Sequence, residues 1–247
     1  MADILSVAVS ALRADQTRLE QLSFNAANAT TPGYRRGTVA AMSFSGVMEA
    51  RQAGPSSALA SLPASPVLRR ATDFTAGAIN QTGRPLDVAI DGDGFLALND
   101  GAQTWLTRAG ALQVNEQGEL TDAKGRRVMG LQGDIKPGGA TDVSIDGAGR
   151  VTVGGQAVGQ LRVVKPADDA EISSNDGVLF SVSGDHFDDV APEHRTVRAG
   201  FLEASNTSSL QEMLGVMEGA RHFESLIRLV QGYDEVLGKA IQKLGEV

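Results

Sequence analysis

Carboxylates two residues apart, in Asp91-Gly92-Asp93-Gly94 with Asp87 just upstream, are the first residues suited to chemistry, because oxygens at alternating positions fit a hard cation such as calcium. The full calcium-loop pattern is missing. No side chain supplies the fifth-position oxygen, and the sixth-position Gly and the closing Glu are absent. The run reads as a Gly-Asp hairpin turn, and Asp146-Gly147-Ala148-Gly149 reads the same way. His186, His194 and His222 are candidate bases, and His186 has Asp185, Asp188 and Asp189 for neighbours. No Gly-x-Ser-x-Gly elbow or His-Glu-x-x-His helix accompanies them, so they read as solvated loop histidines, with His222, beside Phe223, a helix-surface or interface residue.

Gly130-Leu131-Gln132-Gly133 and Gly154-Gly155 lack the following Lys-Ser/Thr of a phosphate cradle and read as turns. Arg35-Arg36 and Arg69-Arg70 are isolated basic pairs, read as solvated or as pairing between subunits. Without cysteine, thiolate nucleophiles, disulfides and cysteine-zinc sites are excluded. No catalytic, cofactor or metal residue is assigned. An enzyme, for instance a glycosidase, would need a carboxylate pair in a pocket, and one Trp, two Tyr and eight Phe supply few rings to line it. The net charge of −8 repels phosphate backbones, which argues against a nucleic-acid partner.

What remains is the scaffold. Leu5, Ala8, Leu12, Asp15, Leu19, Leu22, Ala26 and Ala29 recur three and four apart, a heptad seam with one polar interruption. Thr30-Thr31-Pro32-Gly33 stops it, since Pro cannot continue a helix and Gly takes the turn. From residue 31 to about 75 the chain is rich in Ala, Ser, Pro and Gly and reads as an extended connector. Residues 76–206 change to short apolar runs, such as Leu86-Asp87-Val88-Ala89-Ile90 and Gly94-Phe95-Leu96-Ala97-Leu98. Asn99-Asp100-Gly101 and Asn115-Glu116-Gln117-Gly118 separate such runs, the grammar of an antiparallel β domain. A second helix is expected over 207–247, capped by Asn206, Thr207 or Ser208, with Met213, Met217, Ala220, Phe223, Ile227, Val230, Tyr233, Leu237, Ile241 and Leu244 along one seam. The fold class is α+β, with terminal heptad helices forming a discontinuous coiled-coil-like region around a central β domain. Amphipathic helices of this kind need partners, which are the other terminus, another copy, or both.

The same residues carry a resemblance. Ser23-Phe24-Asn25-Ala26-Ala27-Asn28 followed by Thr31-Pro32-Gly33-Tyr34-Arg35 resembles the opening motif of the bacterial flagellar axial rod and hook proteins, with Phe24 where Asn is usual and Ala26 where Leu is usual. Arg84-Pro85-Leu86-Asp87-Val88-Ala89-Ile90-Asp91-Gly92-Asp93-Gly94-Phe95-Leu96 is similar to that family's strand-turn-strand signature, which Thr107-Arg108-Ala109-Gly110 continues. Gly200-Phe201-Leu202-Glu203-Ala204-Ser205-Asn206 resembles the motif opening its C-terminal helix, and Arg221-His222-Phe223-Glu224 looks more like the proximal-rod member than the distal-rod one.

The resemblance implies a structural subunit of the proximal rod, the hollow drive shaft that carries torque to hook and filament. A distal-rod subunit is the runner-up, and an oligomeric β-domain binding module a further alternative. It implies partners among other rod proteins and copies of the chain itself, and delivery by the flagellar type III export apparatus to the periplasmic basal body without a cleaved signal peptide. No cofactor, nucleic acid, small-molecule substrate or membrane insertion is expected. The assembly interface is expected at Leu5, Leu12, Leu19, Leu22, Asn25 and Asn28 of the first segment, and at Met213, Met217, Phe223, Ile227, Val230, Leu237 and Leu244 of the last.

Overall fold

A computed structural model of the chain describes residues 2–41, 68–140, 142–167, 172–174, 176–182, 186–191 and 195–245, with side chains at all of these but 2–6, 41, 237, 240, 241, 244 and 245. Expectations for residues 42–67, for His194, and for the side chains of Leu5, Leu237 and Leu244 lie outside the described residues. The chain divides into two units, one of Met1–Ala27, Gly37–Asp73 and Ser208–Val247, the other of Asn28–Arg36 and Phe74–Thr207.

The first unit holds α1 (Ala2–Ala27), β1 (Gly37–Ala41), β2 (Leu68–Thr72) and α2 (Ser209–Gly245). No Gly or Pro interrupts α1, and the chain turns after it through Pro32 and Gly33, whose φ of 70° is one that only Gly adopts freely. Ser208, directly before α2, accepts the first helical bond from the Glu212 amide. Asn206 and Thr207 do not precede it directly, and Asn206 directs its side chain elsewhere. β1 and β2 pair antiparallel from Gly37↔Thr72 to Ala41↔Leu68, inside the stretch read as connector. Two short strands with Arg69 and Arg70 exposed have no apolar alternation to betray them.

Among its described residues the second unit is all β. It runs through β3 (Ile79–Gln81), β4 (Val88–Asp91), β5 (Phe95–Asn99), β6 (Thr104–Thr107), β7 (Leu112–Val114), β8 (Leu120–Asp122), β9 (Arg127–Gly130) and β10 (Gly133–Asp134). β11 (Val143–Ile145), β12 (Arg150–Val153), β13 (Gln156–Gln160), β14 (Val163–Pro166) and β15 (Ile172–Ser174) follow. β16 (Leu179–Val182), β17 (Phe187–Asp189), β18 (Thr196–Ala199) and β19 (Phe201–Glu203) complete it. The main sheet follows β15-β16-β6-β5-β9-β8-β7, with β10 on β9, β14 on β5 and β17 on β14. β11-β12-β13 form a smaller sheet, and β4 with β18 and β3 with β19 form ribbons. β5 sits at the centre, and its side chains alternate in destination. Leu96 and Leu98 join the larger apolar cluster with Val88, Leu120, Val128 and Val163, whereas Phe95 and Ala97 join a second with Leu106, Val164 and Phe180. A one-residue slip would swap the two sets, so the period of two fixes the register.

Three hairpins use one turn. In Asn115 to Glu119, Asp122 to Arg126 and Asp146 to Arg150, the first residue's Oδ1 accepts the fifth residue's amide at 2.8, 2.9 and 2.9 Å, and the fourth residue is a Gly with φ of 75°, 82° and 75°. A type I turn closed by a left-handed residue matches the strand twist, which explains the spacing Asx-x-x-Gly. Asp146-Gly147-Ala148-Gly149 is therefore a hairpin, as read. Asp91-Gly92-Asp93-Gly94 is not. β4 pairs with β18 and β5 with β6, so this turn passes the chain from a ribbon to the main sheet. Its carboxylates face cations, with Asp91 2.6 Å from Arg198 and Asp93 4.0 Å from Lys165. Asp87 is buried and accepts from Arg84 and Thr82.

At the β5–β6 tip the indole of Trp105 donates to Asp100 Oδ2 at 2.7 Å, and with the amides of Gln103 and Ala102 it holds that carboxyl down to about 2 from 3.8. A depressed carboxyl stabilises the folded chain above its unfolded pKa and loses that contribution as pH falls through its folded one. The tip should therefore keep its clasp until pH approaches about 2. A carboxyl NMR titration checks this: Asp100 should titrate near the low value and move toward 3.8 in Trp105→Phe. An Asp100 midpoint already near 3.8 in the parent chain would dismiss the indole bond.

Candidate assembly surfaces

Within the helical unit, α1 and α2 pack through leucines against glycines. A Cβ on Gly219 would lie 2.8 Å from Leu19 Cδ2, and one on Gly215 would lie 3.2 Å from Leu22 Cδ2. Helix-interior Gly costs about 1 kcal/mol against Ala. Here the missing side chains admit the two leucines, which is what the spacing Gly215-x-x-x-Gly219 encodes. Asp15, the polar break in the first seam, meets His222 of α2 at 2.5 Å from Oδ2 to Nδ1.

Asn25 is buried and supplies both hydrogen bonds a strand neighbour would, donating to the Gly37 carbonyl at 2.8 Å and accepting from its amide at 3.0 Å. Its Nδ2 also lies 3.2 Å from the buried Glu212 of α2. A Cβ on Gly37 would lie 2.2 Å from the side-chain amide of Gln21, so the Gln21 side chain occupies the space this glycine leaves open.

Among the described residues of this unit, apolar side chains are exposed on α2 and line an open groove on α1. On α2, Leu210, Met213, Leu214 and Met217 are 70%, 55%, 53% and 52% exposed, on roughly the side of the helix away from Gly215 and Gly219 at ~100° per residue. On α1, Gln16, Leu19, Glu20, Ser23, Phe24 and Ala27 line an open, largely apolar groove with Phe223. The expected interface residues thus separate. Leu12, Leu19, Leu22, Phe223, Ile227 and Val230 are half-buried, Met213 and Met217 face outward, and Asn25 is enclosed. Asn28 lies in the β unit, where its side chain accepts from Thr31 Oγ1 at 3.1 Å. Leu210 and Leu214, outside the seam read from sequence, belong to the exposed stripe.

In the β unit the residues missed by sequence reasoning are charged. Arg35, read as solvated or pairing between subunits, is 1% exposed and donates to Glu203 Oε1 at 2.6 Å. Arg108 approaches Glu203 Oε2 at 3.4 Å, donates to the Ile90 and Gly92 carbonyls, and lies 4.9 Å over the Phe95 ring. Burial pushes its guanidinium pKa down, Glu203 pulls it back and nearby Arg35 lowers it further. The three residues come from three separate motifs, and no local periodicity links them. Among the described residues no group of three or more His, Asp or Glu is placed to hold a metal ion, and His186 and His222 are both exposed.

Two family models match the chain. The flagellar hook protein FlgE/F/G D1 domain covers residues 89–153, and the flagellar basal body rod FlgEFG protein C-terminal covers residues 198–243. The flagellar basal-body rod protein FlgF of Escherichia coli is 32% identical over 238 residues, 89% of each chain. FlgF of Caulobacter vibrioides is 28% identical over 257 residues, spanning both chains completely. FlgG of Bacillus subtilis is 27% identical over 255 residues, 94% of this chain and 96% of that one. With both domains matched and an FlgF relative aligned over most of its length, the chain belongs to the FlgE/F/G family of flagellar axial proteins, as a structural basal-body rod subunit of the FlgF type.

Proposed function

We propose that the chain is a proximal-rod subunit whose terminal helices join neighbouring axial subunits in a coiled-coil-like core, with no reaction of its own. The observation carrying this is the uncovered apolar stripe of α2, since a helix apolar on opposite sides needs a partner on each. The groove on α1 offers a concave counterpart for the helix of the next axial subunit. A ridge and a groove on different faces make a head-to-tail contact, which repeats without closing, as a shaft requires. The identities of 32% and 31% to FlgF of Escherichia coli and of Salmonella typhimurium, against 27% to FlgG of Bacillus subtilis, support the proximal position. Export through the type III apparatus and a periplasmic location accompany the rod assignment.

The test is Met213→Asp with Met217→Asp, which places charge on the exposed stripe without touching the packing of α1 on α2. The melting curve should stay within about 0.5 kcal/mol of the parent, as for a surface change. Incorporation into the rod should fail, and swimming with it. Ile227→Asp is a poorer probe, because Ile227 is half-buried within the unit and its loss would confound folding with assembly. Normal rods and normal swimming in the double variant would withdraw the reading.

A further inference from the structure

Glu203 and Asn206 reach two stretches of chain far from them and from each other in sequence, residues 33–36 and 75–77. Glu203 accepts from Arg35 Nη2 at 2.6 Å through its side chain, from Gly33 N at 2.8 Å through its carbonyl, and from Gly77 N at 2.9 Å through Oε1. Asn206 accepts from the Arg36 amide at 2.7 Å and donates to the Thr75 carbonyl and hydroxyl at 3.0 and 3.2 Å. Its own amide reaches the Tyr34 carbonyl at 3.4 Å. The approach is too close for side chains: a Cβ on Gly77 would lie 1.9 Å from the Ala204 carbonyl oxygen. Arg36, Phe74 and Thr207 are three of the four segment ends of the β unit, Asn28 being the other, so these bonds lie at or beside three of the four places where the chain enters or leaves that unit.

We infer that Glu203 and Asn206 are positioning residues, a clasp that gathers the departing chain of the β unit at one spot and fixes it before the subunit joins a rod. A chain segment held by several hydrogen bonds passes on twist, whereas one free to fray absorbs it. Only this mechanical consequence rests on the rod reading; the clasp itself belongs to the free subunit.

Hydrogen exchange on the full-length chain tests it. Asn206→Ala removes the acceptor of the Arg36 amide, and exchange there should rise roughly fivefold to tenfold, the equivalent of one lost hydrogen bond. Leu98 and Val128, in the main sheet, should keep their rates. Asn206→Asp retains the acceptor and should leave Arg36 protected. An unchanged Arg36 in Asn206→Ala, a rise shared equally by Leu98 and Val128, or an Asn206→Asp chain that behaves like Asn206→Ala would each overturn the clasp. In cells, swimming in viscous medium should be slower for Asn206→Ala, which loses the side-chain bonds to both Arg36 and Thr75, than for the parent. Equal speeds in the two would overturn its mechanical role. Failure of the rod reading shows separately, in the methionine variants, and leaves the exchange result standing.

Discussion

Glu203→Ala should cost the β unit about 3–5 kcal/mol, the usual consequence of removing one member of a buried ion pair. The carboxylate and Arg35 are each 1% exposed and Arg108 is 6% exposed, so water cannot replace the lost partner. Two guanidinium groups would then face each other with Gly92 and Ile90 carbonyls as their remaining acceptors on Arg108, and the Gly77 amide would lose its acceptor too. Arg198→Ala is the control, because it breaks a pair of similar length, 2.6 Å to Asp91, whose side chains are 50% and 42% exposed. Exposed pairs are worth at most about 1 kcal/mol. Urea unfolding of both variants measures the difference. Equal losses would show that the buried cluster is no more than another solvated pair.

Gly110→Ala should be comparably damaging, for a steric reason. Its Cβ would lie 1.7 Å from the Val88 carbonyl oxygen and 2.8 Å from Val88 Cγ2, and the Val88 amide donates to the Gly110 carbonyl at 2.9 Å. The obstacle is backbone in the buried β4, which cannot rotate aside, so the expected loss is about 3 kcal/mol or more, at or beyond the usual overpacking range. Gly83→Ala provides the contrast. Gly83 has φ 75° with nothing within 4 Å of its Cβ, so only the left-handed backbone is penalised, about 1–2 kcal/mol. If thermal melting ranked Gly83→Ala as the worse of the two, the close approach of Gly110 to β4 would be wrong.

The terminal helices and the β region were legible because each is written in local periodicity. Leu12, Leu19 and Leu22 recur at helical spacing, and Asn115 and Asp146 open turns whose Gly follows at fixed distance. Other features were not legible, since they depend on residues far apart in sequence. Asp91-Gly92 carries the chemistry of a hairpin turn, and only strand pairing reveals that its flanks go to different sheets. Arg35 looks like any basic residue in a Pro-Gly segment until Glu203 is brought to it across 168 positions.

The sequence by itself determined the α+β class, the rough helix limits, the absence of cysteine chemistry and, through its motifs, the axial family. Tertiary structure alone decided which apolar residues are spent inside the subunit. A heptad seam states only that a face seeks contact, and which partner satisfies it depends on the geometry of closest approach. Gly215 and Gly219 admit Leu22 and Leu19, so that side of α2 is occupied, while Met213 and Met217 are left outward. Tertiary structure likewise decided the fate of the buried charges, because desolvation is set by everything packed around a group and not by its neighbours along the chain.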